Sequence, residues 1–461
     1  FGSSWPDGLL TYFDPLTSAP DKPITIHLTA RFRDTAGNWS EPVTWTYNFK
    51  TPEWEFPTGA VNLAPPGVYN WDVWIDPLGK HDSMVYASSN SKAHGVWGTA
   101  DLVPGTPAPK LKDAVQAEDI WLEADPSGAL DLNGPVYGRL PVARLMVGAT
   151  PTATRTVIGG TCAPDTAQSG RVYAIEAGTR QVLWTHDIGA GYNVKAKPGG
   201  AFNKTIGTYT GDVIYAVTDK QGANNYLRAL KATDGTKLWS TDELGLTGVG
   251  PILGAPFLMP VGAQEAVYFA TMDDGAQPGG VYAVNLATGS LLNGNWPKQL
   301  GSFKSALGTD GSFVYGVNEA GHLWKISLDG SSATDIATLD VGANQGIYGA
   351  PCWVYPRWVA GGNWLIISSN AGKVYCIDVA NPGTPKWVVD IPAPSCPIYW
   401  NGSVYVGSSN KKLYQLDVDD GSVVTSRNLP ATVGDPVIDQ VWNRLYLHAG
   451  DGVMYGFNLP L

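Results

Sequence analysis

Hydrophobic and polar residues alternate in a short phrase that returns eight times along the chain. A copy has an aliphatic residue, usually an aromatic, then a small or polar residue and often another aliphatic, before a turn. The copies begin at Val96, Val172, Leu227, Val281, Leu323, Val374, Leu413 and Met454. Most of them are 39 to 55 residues apart, which is the period of β-propeller blades.

Each repeat unit contains signals for four strands. A second alternating stretch precedes the phrase, as at residues 83–89 and 403–409. A residue followed by proline opens most units, and a further stretch after the phrase carries a tryptophan in several units. Four antiparallel strands make one blade, so the sequence predicts an all-β, eight-bladed propeller, with seven blades as the alternative.

The two ends of the repeat array are irregular. The last unit stops at Leu461, directly after its third strand, which would leave an open sheet edge. Residues 59–63 precede the first blade, and we expect them to supply the missing strand and close the ring. The predicted organisation is a partial β-sandwich over residues 1–55, a proline-rich hinge over residues 56–66 and the propeller over residues 67–461.

The first 55 residues contain two alternating stretches, residues 24–32 and 42–49, joined by a turn. This pattern predicts a β-hairpin. The connecting phrase at residues 33–42 resembles the end of bacterial fibronectin type III or immunoglobulin-like modules. Such sandwiches have about 100 residues, so only part of one is expected here.

The net charge, the hydropathy and the cysteine spacing of the chain exclude several classes of partner and cofactor. The 461 residues carry a net charge of −11, which argues against nucleic acid or an anionic membrane as the main partner. No apolar run reaches the length of a membrane-spanning helix. The four cysteines form no CxxC or CxxCH motif, so neither a zinc ribbon nor an attached c-type haem is expected.

The outer half of the repeat resembles a known family. Residues 174–184 and 229–239 resemble the tryptophan-docking motif of pyrroloquinoline-quinone-type propellers, and residues 376–387 match it with one insertion. The resemblance covers residues 67–461. It implies that Trp184, Trp239 and Trp387 pack between neighbouring sheets, aimed by the turn that precedes each of them.

Members of this fold include enzymes and non-enzymes. Quinoprotein dehydrogenases use the quinone, a calcium ion and a catalytic aspartate, and in many of them two adjacent cysteines form a disulfide. This chain lacks adjacent cysteines and the long insertions that build the quinone pocket. A non-enzymatic relative is the outer-membrane barrel-assembly lipoprotein, whose propeller binds partners.

The predicted function is therefore a bacterial propeller, secreted, on the cell surface or in the periplasm, that binds or scaffolds protein partners. No catalytic, cofactor-binding or metal-binding residue and no cofactor is expected. The alternative is a quinone- and calcium-dependent dehydrogenase or another enzyme with a site at the channel mouth.

Three sets of residues are candidates for specific roles. The residue before proline should reach a common depth in the central channel, which makes Lys197, Cys396 and Asp435 channel-lining candidates, with a plain hydrated channel as the alternative. Cys352 and Cys396 share strand parity in neighbouring blades, so a disulfide and two free thiols both remain open. The loop at residues 104–135 is the longest insertion. Its partner-binding candidates are Glu118, Asp119, Trp121 and Glu123, and the alternative is a loop that covers the ring closure.

Overall fold

The computed structural model describes residues 24–30, 43–49, 54–57, 66–75, 81–97, 130–343, 346–347, 349–355, 362–440 and 443–461. All regular secondary structure in these residues is β-strand. The strands β1 (Ile24–Ala30) and β2 (Val43–Phe49) pair as an antiparallel hairpin. The partial β-sandwich around this hairpin stays a prediction.

The remaining strands form eight sheets, so the predicted eight-bladed propeller is confirmed and the seven-bladed alternative is wrong. Within each blade the strands follow one another from the innermost to the outermost. Blade one consists of β4 (Gly67–Ile75), β5 (His81–Ser89), β6 (Lys92–Trp97) and β7 (Leu130–Asp131), and blade two of β8 (Val142–Val147), β9 (Thr152–Gly160), β10 (Ser169–Glu176) and β11 (Val182–Ala190). Blade three consists of β12 (Gly199–Ile206), β13 (Tyr209–Val217), β14 (Leu227–Lys231) and β15 (Lys237–Ser240). Blade four consists of β16 (Phe257–Val261), β17 (Gln264–Thr271) and β18 (Gly280–Asn285).

Blades five to eight follow the same order. Blade five consists of β19 (Gly308–Thr309), β20 (Phe313–Val317), β21 (His322–Ser327) and β22 (Ala333–Thr338), and blade six of β23 (Cys352–Val354), β24 (Trp364–Ser369), β25 (Lys373–Asp378) and β26 (Trp387–Asp390). Blade seven consists of β27 (Ile398–Trp400), β28 (Ser403–Gly407), β29 (Lys412–Asp417) and β30 (Val423–Asn428). Blade eight contains β31 (Val437–Asp439), β32 (Arg444–His448) and β33 (Val453–Asn458). In blade four, isolated bridges from Val281 to Lys298 and from Val284 to Leu291 occupy the place of a fourth strand.

The ring closes through a strand that precedes the first blade. The short strand β3 (Trp54–Pro57) pairs antiparallel with β33 and completes blade eight. The innermost strand of blade eight, β31, also contacts β4 of blade one. The segment predicted to close the ring, residues 59–63, lies outside the described residues.

The repeated phrase forms the third strand of every blade, but its first copy is out of register. Val374 pairs with Ser368 in blade six, and Ala93 pairs with Ser88 in blade one. Both serines begin a Ser-Ser-Asn sequence. The first copy therefore begins at Ala93, three residues earlier than predicted, because His94 stands where most copies have an aromatic.

The core lies between blades rather than inside any one of them. Val172 and Ala174 of β10 pack in a cluster with side chains of blade three, whereas Tyr173 and Ile175 pack towards blade one. All four side chains are buried. Successive residues of a strand point to opposite faces of its sheet, so a strand that is buried on both faces needs a continuous apolar run.

Candidate functional site in the central channel

The channel-lining candidates occupy one repeat position at the start of the innermost strands. Lys197, Ala255, Ala350, Cys396 and Asp435 each lie two residues before such a strand begins. Lys197, Ala255, Cys396 and Asp435 are half-buried, and Ala350 is exposed. Their role as channel-lining residues stays a prediction.

Three of these positions are in direct contact across blades six, seven and eight. The backbone N–H of Cys396 donates to Oδ1 of Asp435 at 2.7 Å. The Cys396 thiol donates to the carbonyl oxygen of Ala350, with an Sγ–O distance of 3.1 Å. Burial raises the pKa of the Asp435 carboxyl, and the Cys396 N–H and the charge of Arg139 oppose that rise.

Arg139 is a charged residue near these positions that the sequence analysis missed. Burial lowers the pKa of its guanidinium, and the nearby Cys396 and Asp435 partly offset that effect. Burial also lowers the pKa of Lys197, and Arg139 lowers it further by charge repulsion. The signal was available, since Leu140-Pro141 is the blade-two member of the proline series and Arg139 precedes it.

Cys352 and Cys396 lie in neighbouring blades, as predicted, but they are free thiols and no disulfide joins them. Each sulfur makes its own hydrogen bond: Cys396 to Ala350, as above, and Cys352 by accepting the N–H of Tyr399 at 3.2 Å. Burial raises the pKa of Cys352 to about 12 and that of Cys396 well above its usual range. Both sulfurs are therefore protonated and poorly nucleophilic at neutral pH.

The predicted docking tryptophans contact the turn of the following blade. Their indole N–H groups donate to backbone carbonyls at 2.8–2.9 Å, Trp184 to Ala232, Trp239 to Leu286 and Trp387 to Val418. Each ring lies against a glycine with positive φ in that turn: Gly235, Gly289 or Gly421. The displaced Trp296 lies against Gly330 in the same way.

The partner-binding candidates of the loop at residues 104–135 were the third set predicted from the sequence. Glu118, Asp119, Trp121 and Glu123 lie outside the described residues, and their role in partner binding stays a prediction. Among the residues that the structure describes, no three His, Cys, Asp or Glu side chains are grouped so that they could hold a metal ion. No helix in that part of the chain is long and apolar enough to cross a membrane.

Comparisons with known proteins agree with this architecture. The family model described as outer membrane protein assembly factor BamB matches residues 144–295. The BamB protein of Yersinia pestis is 21% identical over 404 residues, which cover 77% of this chain and 93% of that protein.

Two solved structures show the same fold. BamB from Moraxella catarrhalis superposes with a TM-score of 0.52 at 14% identity, over 85% of this chain and 98% of the other. A europium-containing methanol dehydrogenase gives 0.56 at 13% identity, over 86% and 84% of the two chains.

The blade order, the docking turns and these similarities define the class. The chain is an eight-bladed β-propeller of the pyrroloquinoline-quinone-like type, so the predicted resemblance is confirmed for the propeller. The fold alone does not assign an activity, since the similar structures include an assembly factor and a dehydrogenase.

Proposed function

We propose that this propeller is a protein-binding scaffold of the bacterial cell envelope and that it acts without catalysis. The observation that carries the proposal is the extent of the similarity to BamB. It runs over 404 residues, nearly the whole length of an outer membrane protein assembly factor. The family match over residues 144–295 carries the same description and lies within blades two to four.

The surface supports binding through the rim of the ring. The fourth strand of a blade has one unpaired edge, and such an edge can accept a partner strand or loop. Val423 and Val424 on β30 are 50% and 56% exposed, and Val388 on β26 is 45% exposed. Exposed valines on edge strands give these blades apolar contact points for a partner.

The test combines location, contact and turnover. A photo-crosslinking amino acid is placed at Val424 in cells of the source organism, and the same residue at Lys373 of β25 serves as the control. We expect one dominant adduct with an envelope protein from the Val424 position only, recovered again when that protein is tagged instead.

Catalysis is tested on the purified chain. It is incubated with pyrroloquinoline quinone, calcium or a lanthanide, a series of primary alcohols and an electron-accepting dye. No dye reduction above the protein-free rate is expected. Substrate-dependent turnover, or the absence of any adduct together with a cytoplasmic location, would overturn the proposal.

A further inference from the structure

Blade seven lacks the docking tryptophan that fastens other blades to the next one. In blades two, three and six, the tryptophan of the outer strand pairs with a small residue of the third strand: Trp184 with Ala174, Trp239 with Ala229 and Trp387 with Cys376. At the same register of blade seven, Thr425 pairs with Gln415. A threonine side chain is much smaller than an indole, so another contact must fill this place between blades seven and eight.

The residues that follow β33 provide this contact, and we call residues 459–461 the strap. The backbone N–H of Leu461 donates to Oε1 of Gln415 at 3.0 Å, and Nε2 of Gln415 donates to the hydroxyl of Ser403 at 2.9 Å. Leu459 and Leu461 are each 8% exposed. Both leucines belong to an apolar cluster that contains side chains of blades seven and eight. The strap therefore reaches back from blade eight to blade seven.

The strap also holds the carbonyl that a docking indole would use. In blades three, four and seven, the indole donates to the carbonyl three residues after the third-strand residue that pairs with a tyrosine. In blade eight Gly456 pairs with Tyr446, so the equivalent carbonyl belongs to Leu459. Nδ2 of Asn443 donates to this carbonyl at 2.7 Å, and Nε1 of Trp400 donates to Oδ1 of Asn443 at 2.5 Å. An indole of blade seven thus reaches the usual carbonyl through one asparagine.

The strap and a docking tryptophan are attached to the fold in different ways. A docking tryptophan is part of an outer strand, so it cannot leave without breaking ladder hydrogen bonds. The strap lies beyond the end of β33 and belongs to no sheet of the described chain. Besides the bonds above, the N–H of Leu459 donates to the carbonyl of Asn443 at 2.9 Å, and the intervening Pro460 is exposed. A segment held in this way can open locally at a lower free energy than the strands beside it.

We propose that the strap is a detachable lock of the ring. It fastens blade eight to blade seven in place of a docking tryptophan, and it can leave its position while blades two to four stay folded. When it leaves, Gln415 loses its N–H donor and the apolar cluster between the two blades becomes exposed. Blade eight then keeps its contact with blade one, through β31 and β4, and its pairing with β3. The seam between blades seven and eight is therefore the place where this ring opens first.

The test is native-state hydrogen exchange of the whole chain, resolved to single residues by mass spectrometry, at several low urea concentrations. The amides of Leu459 and Leu461 should exchange more slowly than in a short peptide of the same sequence, because they are hydrogen-bonded. They should also exchange faster than the amides of β14 in blade three. Their rates should not change with urea, since release of three residues exposes little surface, whereas the rates in β14 should rise with urea.

Gln415→Leu keeps the size of the side chain and removes the acceptor for the Leu461 amide. Exchange of that amide should become about fivefold to thirtyfold faster, with the rates in β14 unchanged. The matched control is Gln264→Leu, since Gln264 is an exposed glutamine at the start of β17. This control should leave the strap as it is in the unaltered chain.

Leu461→Asp places a charge in the apolar cluster and should release the strap. The Leu459 amide should then exchange as in the short peptide, and an apolar fluorescent dye should bind, while β14 stays protected. Trp239→Ala should give the reverse pattern, with faster exchange in β14 and an unchanged strap. Leu461→Ala replaces the aspartate variant if that variant does not fold.

Four results would overturn the proposal. The strap amides could exchange at the rate of the short peptide in the unaltered chain, which would show that the strap is not docked. They could exchange with the rate and the urea dependence of β14, which would show that the strap does not detach alone. Gln415→Leu could leave the Leu461 rate within twofold of the unaltered chain. Finally, Gln415→Leu and Leu461→Ala could both fail to fold, which would make the strap an integral part of the ring. None of these results bears on the scaffold proposal, which is tested by crosslinking at the rim.

Discussion

Replacing Gly421 with alanine should destabilise the ring by about 1–4 kcal/mol, as the sum of a net backbone cost of about 1 kcal/mol or less and a packing cost. Gly421 has a φ of 75°, and a left-handed conformation costs an alanine about 1–2 kcal/mol. The new Cβ would also lie 2.7 Å from Cδ2 and 2.8 Å from Cε3 of Trp387. Such overpacking adds about 1–3 kcal/mol.

Gly402 provides a matched control in the same blade. Its φ is 82°, and a Cβ added there would meet no atom within 4 Å. Gly402→Ala should therefore show the backbone cost alone, reduced by the lower entropy of the unfolded chain, so about 1 kcal/mol or less. The difference between the two variants isolates the contact with the indole ring.

A double-mutant cycle tests the contact directly. Trp387→Ala alone should cost about 3–5 kcal/mol, since the ring is buried and its N–H donates to Val418. In that background, Gly421→Ala should cost no more than Gly402→Ala. The measurement is urea unfolding followed by tryptophan fluorescence and circular dichroism, with the slope checked for constancy. Equal costs for the two glycines, or a Gly421→Ala cost that persists without Trp387, would refute the docking geometry.

Three further predictions concern the thiols, the ring closure and an ion pair. Burial raises the pKa of Cys352 and Cys376 from 9.0 to about 12, so the stability that these protonated thiols contribute is complete below about pH 9 and is lost as the pH rises towards 12. In the Cys376→Ala variant, the unfolding midpoint should fall less steeply over this pH range. A thiol reagent should count four free thiols in the chain after denaturation without reductant. Deleting residues 1–57 removes β3 and leaves the edge of β33 unpaired. The shortened chain should therefore unfold at a lower temperature and aggregate, which light scattering would detect. Deleting residues 1–50 keeps β3 and should change neither the unfolding temperature nor the aggregation. Asp219→Asn breaks the 2.5 Å ion pair of a buried carboxylate with Lys195 and should lower the free energy of unfolding by about 1.5–3 kcal/mol. The exposed pair Lys373–Asp390 is the comparison. A loss of stability from Asp219→Asn that is smaller than the loss from Asp390→Asn would contradict this prediction.

The repeat was predictable because every blade uses the same physical solution. A strand buried on both faces needs an apolar run, and a turn must follow it, so the pattern returns whenever a blade does. The first copy was placed three residues late because the pattern relied on an aromatic where blade one has His94. Backbone pairing, with Ser88 opposite Ala93, fixes the register where side-chain identity does not.

The channel was less predictable, because the direction and reach of a side chain decide its role there. The position before proline placed Lys197, Cys396 and Asp435 at the same distance from the start of their innermost strands, and their place in the channel stays a prediction. In blade two that position is Leu140, which is buried in the core between blades one and two, and the preceding Arg139 interacts with Cys396 and Asp435 instead. The pattern also showed that the last blade lacks a strand, but many short segments before blade one could pair with β33.

The docking turns and the position before proline differ in how strongly the repeat constrains the residue type. Docking a tryptophan needs a glycine with positive φ and a free carbonyl in the next blade, and Trp184, Trp239 and Trp387 all meet these same conditions. The position before proline has no such requirement, and it holds lysine, alanine, cysteine or aspartate in different blades. The same frame therefore carries different side-chain chemistry at this position in different blades. It follows that the docking turns can be predicted from the repeat, whereas the chemistry at the position before proline has to be established blade by blade.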